Sequence, residues 1–147
     1  MRYLTVVDGI IAGEGNGPMS PDPKACGVII AGTHPVAVDC VAATLMGFDW
    51  QKLRLLKNSF QIRELNFVPF RPEEIEVISN KPAWTGKIHQ IEETFDFRPH
   101  FGWVGAIENN RRAGVGCVVQ HAVGIDKIET FVGEGEVFGI LLLKDAR

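Results

Sequence analysis

Cysteine is scarce. The chain has three in 147 residues, Cys26, Cys40 and Cys117, far apart and without a C-x-x-C pair. An odd, dispersed set excludes a disulfide framework, and no complete iron–sulfur or zinc site is encoded in this chain. An excess of charge of one sign is also missing. Fifteen Lys and Arg face eighteen Asp and Glu, for a net charge of −3 and a pI near 5.8. No window gathers a basic stripe, so the chain has no electrostatic footprint for nucleic acid or an acidic membrane surface. No apolar run approaches the ~18 residues of a membrane helix. The first residues, MRYLTVVDG, have neither the apolar stretch nor the cleavage site of a signal peptide, which makes a cytoplasmic location the expectation. G-x-x-x-x-G-K-[ST], G-x-S-x-G and H-E-x-x-H are all absent, which argues against a nucleotide P-loop and against the familiar hydrolase and metalloprotease sites. The cysteines fall in or beside apolar segments and read as small hydrophobes rather than nucleophiles.

What the chain does have is an ordinary globular composition, 46% hydrophobic with a mean hydropathy of +0.07. A chain of this length can bury roughly two-thirds of its extended surface. It reads as one domain over 1–147, with a core unit over 1–80 and an aromatic-rich segment plus C-terminal strands over 81–147.

The core unit is concentrated in Val6 to Phe48. An apolar run from Leu4 to Val7 leads into Asp8, and Gly9 to Ala12 is apolar again. A carboxylate inside such a run is costly to bury without partners, so Asp8 is expected at a strand end or beside a partner. Gly13-Glu14-Gly15-Asn16-Gly17-Pro18 follows, with three glycines in five positions. Such a backbone can turn N–H groups inward as an anion-binding nest. A phosphate loop normally opens a helix, whereas Met19-Ser20-Pro21-Asp22-Pro23 reads as a turn or extended tether. Gly27 to Ala31 is a β-branched run and predicts a buried strand. Thr33 as cap and Pro35 in the first turn then start a helix that is apolar on nearly every face through Met46 and ends at Gly47. Asp39 is a second carboxylate in an apolar setting.

These residues give two site hypotheses. Asp8, Glu14 and Asp39, with Asn16 as an amide ligand, are the oxygen donors a hard divalent cation takes; the bland reading has Asp8 and Asp39 satisfying backbone N–H groups while Glu14 is solvated. His34 and Asp39 form a second candidate pair, but five positions place them off a common helix face. A histidine beside a helix start more often caps or hydrogen-bonds.

The ordered motifs Val-Asp-Gly-Ile, Gly-Glu-Gly-Asn-Gly-Pro, Ala-Gly-Thr, Pro-Val-Ala-Val-Asp and Met-Gly-Phe resemble the C-terminal half of the uncharacterised domain-of-unknown-function family DUF362. The later Phe101-Gly102-Trp103-Val104-Gly105-Ala106-Ile107-Glu108 is similar to a shorter motif of that family. Where the family usually has an acidic residue before the helix, this chain has His34, and the resemblance leads to the expectation that the family's N-terminal half is not part of this sequence. Because members are often joined to ferredoxin-like modules, the resemblance implies an iron–sulfur partner on another chain. It implies no known reaction.

After the core unit, Asp49 to Phe60 predicts a second helix capped by Asp49, with Trp50, Leu53, Leu56 and Phe60 on one face and Lys52, Arg54 and Lys57 on a solvated one. Glu73 to Ser79 alternates as a half-buried strand at a sheet edge. Ala83 to Trp103 holds five aromatics, Trp84, Phe95, Phe97, Phe101 and Trp103. That predicts an irregular segment held by aromatic anchors, or an aromatic-lined groove beside the glycine stretch with His100 as its titratable group. Strands are expected at Val115 to Gln120 and Val137 to Leu143, the latter a hazard if left at an edge.

The expected fold is therefore α/β: a mainly parallel or mixed sheet covered by helices, with antiparallel C-terminal strands. Two functions stand side by side. One is a glycine-rich acidic loop, Asp8 with Gly13 to Gly17, binding a divalent metal or an anionic small ligand, with Asp39, His34 and His100 as candidate catalytic groups. The other is a non-catalytic half-domain that assembles with itself, as a homo-oligomer, or with a partner chain.

Overall fold

The computed structural model describes residues 4–62, 67–108 and 137–142. Two long strands, β1 (Thr5–Asn16) and β2 (Ser20–Gly32), are followed by helix α1 (Pro35–Met46) and a short helix α2 (Arg54–Ser59). Strands β3 (Glu76–Ser79), β4 (Gly86–Lys87) and β5 (Val137–Leu142) complete one sheet of order β1-β2-β5-β3-β4. Mixed α and β content is as expected, but the sheet is not mainly parallel. β1 with β2, β2 with β5 and β3 with β4 run antiparallel, and β3 with β5 is parallel. The reason lies in the connection: residues 17–19 form a tight turn, and a parallel crossover needs a dozen or more residues.

α1 covers one face of this sheet. Val38, Cys40, Val41 and Leu45 are buried against Val28 and Ile30 of β2 and Val77 of β3. Pro35 occupies the first helical turn as predicted, but the capping position is His34, without a side-chain cap bond, and not Thr33. Gly47 ends the helix at φ 90°, where its N–H reaches the Thr44 carbonyl at 3.0 Å. Thr44, the polar residue inside the buried face, donates its hydroxyl to the Cys40 carbonyl at 2.8 Å. Burial pushes the Cys40 thiol up to about 12 and the Cys26 thiol in the same direction, so both behave as the hydrophobes the sequence suggests.

The second predicted helix divides. Trp50–Lys52 is a 3₁₀ turn and α2 begins at Arg54, while Asp49 accepts the Gln51 N–H at 3.0 Å as the expected cap. Leu56 is buried, the Trp50 and Phe60 rings lie 5.4 Å apart, and Lys52, Arg54 and Lys57 are exposed. The strand expected from Glu73 starts only at Glu76, after a Pro72–Glu74 turn. It is not an edge strand, since β4 flanks it on one side and β5 on the other. β5, a hazard only if left at an edge, lies between β2 and β3, where a continuous apolar run suits a central strand. The predicted turn at Asn109 to Gly114, the strand at Val115 to Gln120 and the piece carrying Ile125 and Ile128 lie outside the described residues.

Candidate functional site

The glycine-rich stretch belongs to the β1–β2 ladder. Gly13 pairs with Pro23, Glu14 with Asp22, Gly15 with Pro21 and Asn16 with Ser20, so the supposed tether is the start of β2. Prolines on β2 explain the glycines on β1: a Cβ at Gly13 would stand 2.8 Å from the Pro21 Cβ. Gly15 also has φ 76°, a conformation that favours glycine. Glycine here serves close strand approach.

Glu14 is the centre of a clasp. Only 13% of its side chain is exposed. Lys24 Nζ donates to Oε2 at 2.8 Å, the Arg98 N–H to Oε2 at 3.0 Å and Arg98 Nε to Oε1 at 2.9 Å. Burial by itself would raise this carboxyl, yet the Lys24 bond and the two Arg98 bonds outweigh it and hold the pKa at about 2. Arg98 Nη2 reaches Asp22 at 2.6 Å, and the Gly15 N–H donates to the Arg98 carbonyl at 2.9 Å. The same segment closes the end of α1: the Phe95 and Phe97 N–H groups donate to the carbonyls of Leu45 and Met46 at 2.7 and 2.8 Å. Three remote pieces are thus tied together, the hairpin, the helix C-terminus and residues 94–100.

Between them lies an open groove of about 180 Å³. Gly13, Gly15 and Gly17 line one wall and Pro99 and His100 the other, over Met46, Phe48, Phe97 and Ile107. The groove lies beside the glycine stretch and includes His100, but of the five aromatics of the 83–103 segment only Phe97 lines it. His100 Nδ1 accepts the Gly102 N–H at 3.2 Å, which puts the ring proton of the neutral form on Nε2. Its floor is apolar and its acidic member is already neutralised. A second, wider depression of about 420 Å³ lies against Trp50, Lys52, Lys57 and Phe60.

The other candidates are dispersed. Asp8 is an exposed residue within β1 rather than at its end, and its Oδ1 accepts the Ile10 N–H at 3.0 Å. Asp39 is exposed on α1, and partial burial raises its pKa. His34 has Nε2 3.1 Å from the Phe67 carbonyl and meets the Phe70 ring edge-on at 4.9 Å, so its partners are aromatic and backbone groups rather than Asp39. Its Nδ1 is buried without a hydrogen-bond partner among the described residues. Asn16 is exposed. Among the described residues no group of three or more His, Cys, Asp or Glu is placed to hold a metal ion. Sequence reasoning missed Lys24, Asp22 and Arg98. The two β2 residues alternate between prolines, a faint strand signal, but nothing local marks Arg98 as the partner of a residue 84 positions away.

Residues 1–44, which comprise β1, β2 and most of α1, match the family model described as "Domain of unknown function (DUF362)". A thylakoid-associated protein of Synechocystis sp. (strain ATCC 27184 / PCC 6803 / Kazusa) is 41% identical over 46 residues. That match covers 31% of this chain and 14% of the relative, so the chain spans a small part of that protein's length. No solved structure matches. The family-model match covers the hairpin and most of the first helix, and Arg98, His100 and the similar stretch Phe101 to Glu108 lie beyond it. Among the described residues no helix is long and apolar enough to cross a membrane.

Proposed function

We propose that this chain is an assembly module, a half-domain whose core is completed by another polypeptide. The observation that carries this reading is the outer face of β1. Thr5, Val7 and Gly9 turn inward, while Val6, Asp8 and Ile10 alternate outward and are exposed, as is Leu4 just before the strand, so apolar Leu4, Val6 and Ile10 flank a single charge on this face, Leu4 exposed to 75% and Val6 to 55%. Among the described residues β1 is also an edge strand, twelve residues long, and an edge of this kind is a template for pairing with a further chain. Support comes from the relative, in which the matching hairpin and helix are 14% of a much longer protein. The partner favoured here is a second copy. Burying two such side chains is worth about 1.5–3 kcal/mol each, so Val6→Lys with Ile10→Lys should weaken association by well over tenfold. Sedimentation velocity checks this. The wild type is expected to sediment above its monomer mass and the double variant at a lower mass, with an unchanged circular dichroism spectrum. An unchanged oligomer in the variant would sink the reading.

A second reading is favoured by one observation, the meeting of His100 with the glycine stretch in a groove. In it the groove and the acidic residues take a divalent cation or an anionic small ligand, as an enzyme working with a separate iron–sulfur protein would require. Elemental analysis of protein purified without chelator decides it. One metal per chain, lost in both Asp8→Ala and Glu14→Ala, supports the cation form; metal-free wild type removes that form.

A further inference from the structure

The groove has a matching knob beside it. His100, in the groove wall, carries the Phe101 ring against its own at 4.1 Å, and Phe101 is 77% exposed. Trp103 at 57% and Val104 continue the same 3₁₀ turn outward, and Met19 stands exposed two residues from the groove-lining Gly17. Large aromatic side chains bury about 150–250 Å² each, so this patch offers roughly 400 Å² of apolar surface per chain, the size at which a patch on a monomer usually has a function. With the groove walls added it approaches the low end of specific interfaces, near 600 Å² per partner. Both charge signs occur at its rim, in the exposed Arg98–Asp22 pair, so a second copy meets no one-signed field.

A knob next to an apolar hole on one surface is self-complementary under a two-fold axis, because each chain then gives its knob and receives its partner's. We propose that two copies associate reversibly in this way, with Phe101 of each chain seated in the Gly17–His100 groove of the other. This rests on the assembly reading and names a site for it separate from the β1 face.

Two variants attack the two halves of the contact. Phe101→Asp removes the knob. Gly17→Leu fills the hole, and space allows it, since a Cβ at Gly17 meets only the Pro21 Cβ at 3.9 Å and the φ is not in the left-handed region. Sedimentation velocity on the full chain from low to high micromolar concentration is expected to show a wild-type dimer weakened at least tenfold in each variant. An equimolar mixture of the two should recover part of the dimer, since one intact knob meets one intact hole. Wild-type-like dimerisation in either variant, or no recovery in the mixture, overturns the groove contact. If the oligomer survives both variants but is lost in Val6→Lys with Ile10→Lys, the assembly reading stands without this site. A wild type that is monomeric throughout removes both.

Discussion

Glu14→Gln is expected to cost about 3 kcal/mol near neutral pH and to flatten the acid side of the stability profile. The magnitude follows from linkage. A carboxyl held at about 2 against an ordinary 4.5 stabilises the folded state by roughly 1.4 kcal/mol per unit of depression. Because the folded value is the lower one, the contribution is fully present above pH 4.5 and is lost as pH falls from 4.5 towards 2. With the side chain only 13% exposed, little solvent screening reduces it. Truncation to Gln also leaves Lys24 and the Arg98 N–H, which now share a full carboxylate, with a weaker neutral acceptor. The exposed Arg98–Asp22 pair adds little, as surface pairs do. Urea denaturation over a pH series reads this out. The wild-type and Glu14→Gln curves should be separated at pH 7 and converge near pH 2; parallel curves would show that Glu14 does not hold the clasp. The consequence reaches the groove, because Arg98, which Glu14 holds, accepts the Gly15 N–H through its carbonyl and both residues line it.

Local features of the chain were legible where the cause is local. Pro35 and Gly47 bound α1 because their effects act on their own turns, and Asp49 caps its turn for the same reason. The apolar run of β5 marked a strand, but no sequence period says that its neighbours are β2 and β3. The glycine stretch and its tether read as loop and are paired strands. Glycine permits both, and Pro21, whose ring occupies the space a side chain at Gly13 would need, explains why glycine suits the paired strand there. Asp8, Glu14 and Asp39 looked like one cluster because they share a short sequence span. In space Asp8 and Asp39 are exposed and Glu14 turns to residues some eighty positions away. The groove of His100 was readable as a possibility because aromatic density signals anchoring. Which aromatics anchor and which stay outside was decided by tertiary packing: Trp84 and Phe97 are buried, Phe101 and Trp103 exposed.

That division makes Trp84→Ala the most damaging single change expected in the aromatic segment, at about 3–5 kcal/mol. Trp84 is 2% exposed, its Nε1–H donates to the Glu93 carbonyl at 3.0 Å, and its ring meets Phe95 edge-on at 5.1 Å. Lys81 lies over the ring at 4.2 Å and pairs with Glu93, so one indole organises both ends of the turn between them. Alanine opens a cavity and leaves the Glu93 carbonyl without its donor. Trp84→Phe keeps most of the ring and loses only the hydrogen bond, which should cost about 1 kcal/mol beyond the change in size. Denaturant unfolding separates the two variants, and native-state hydrogen exchange locates the damage. The Phe95 and Phe97 amides, bonded to the end of α1, should lose protection in Trp84→Ala before the amides of β1 and β2 do. Loss of protection spread evenly over the chain, or a cost under 1 kcal/mol, would refute the anchor. If the local pattern is found, the groove wall at Pro99 and His100 is held in place through Trp84, Phe95 and Phe97 rather than by the hairpin alone, and the position of the exposed Phe101 knob depends on a buried residue seventeen positions before it.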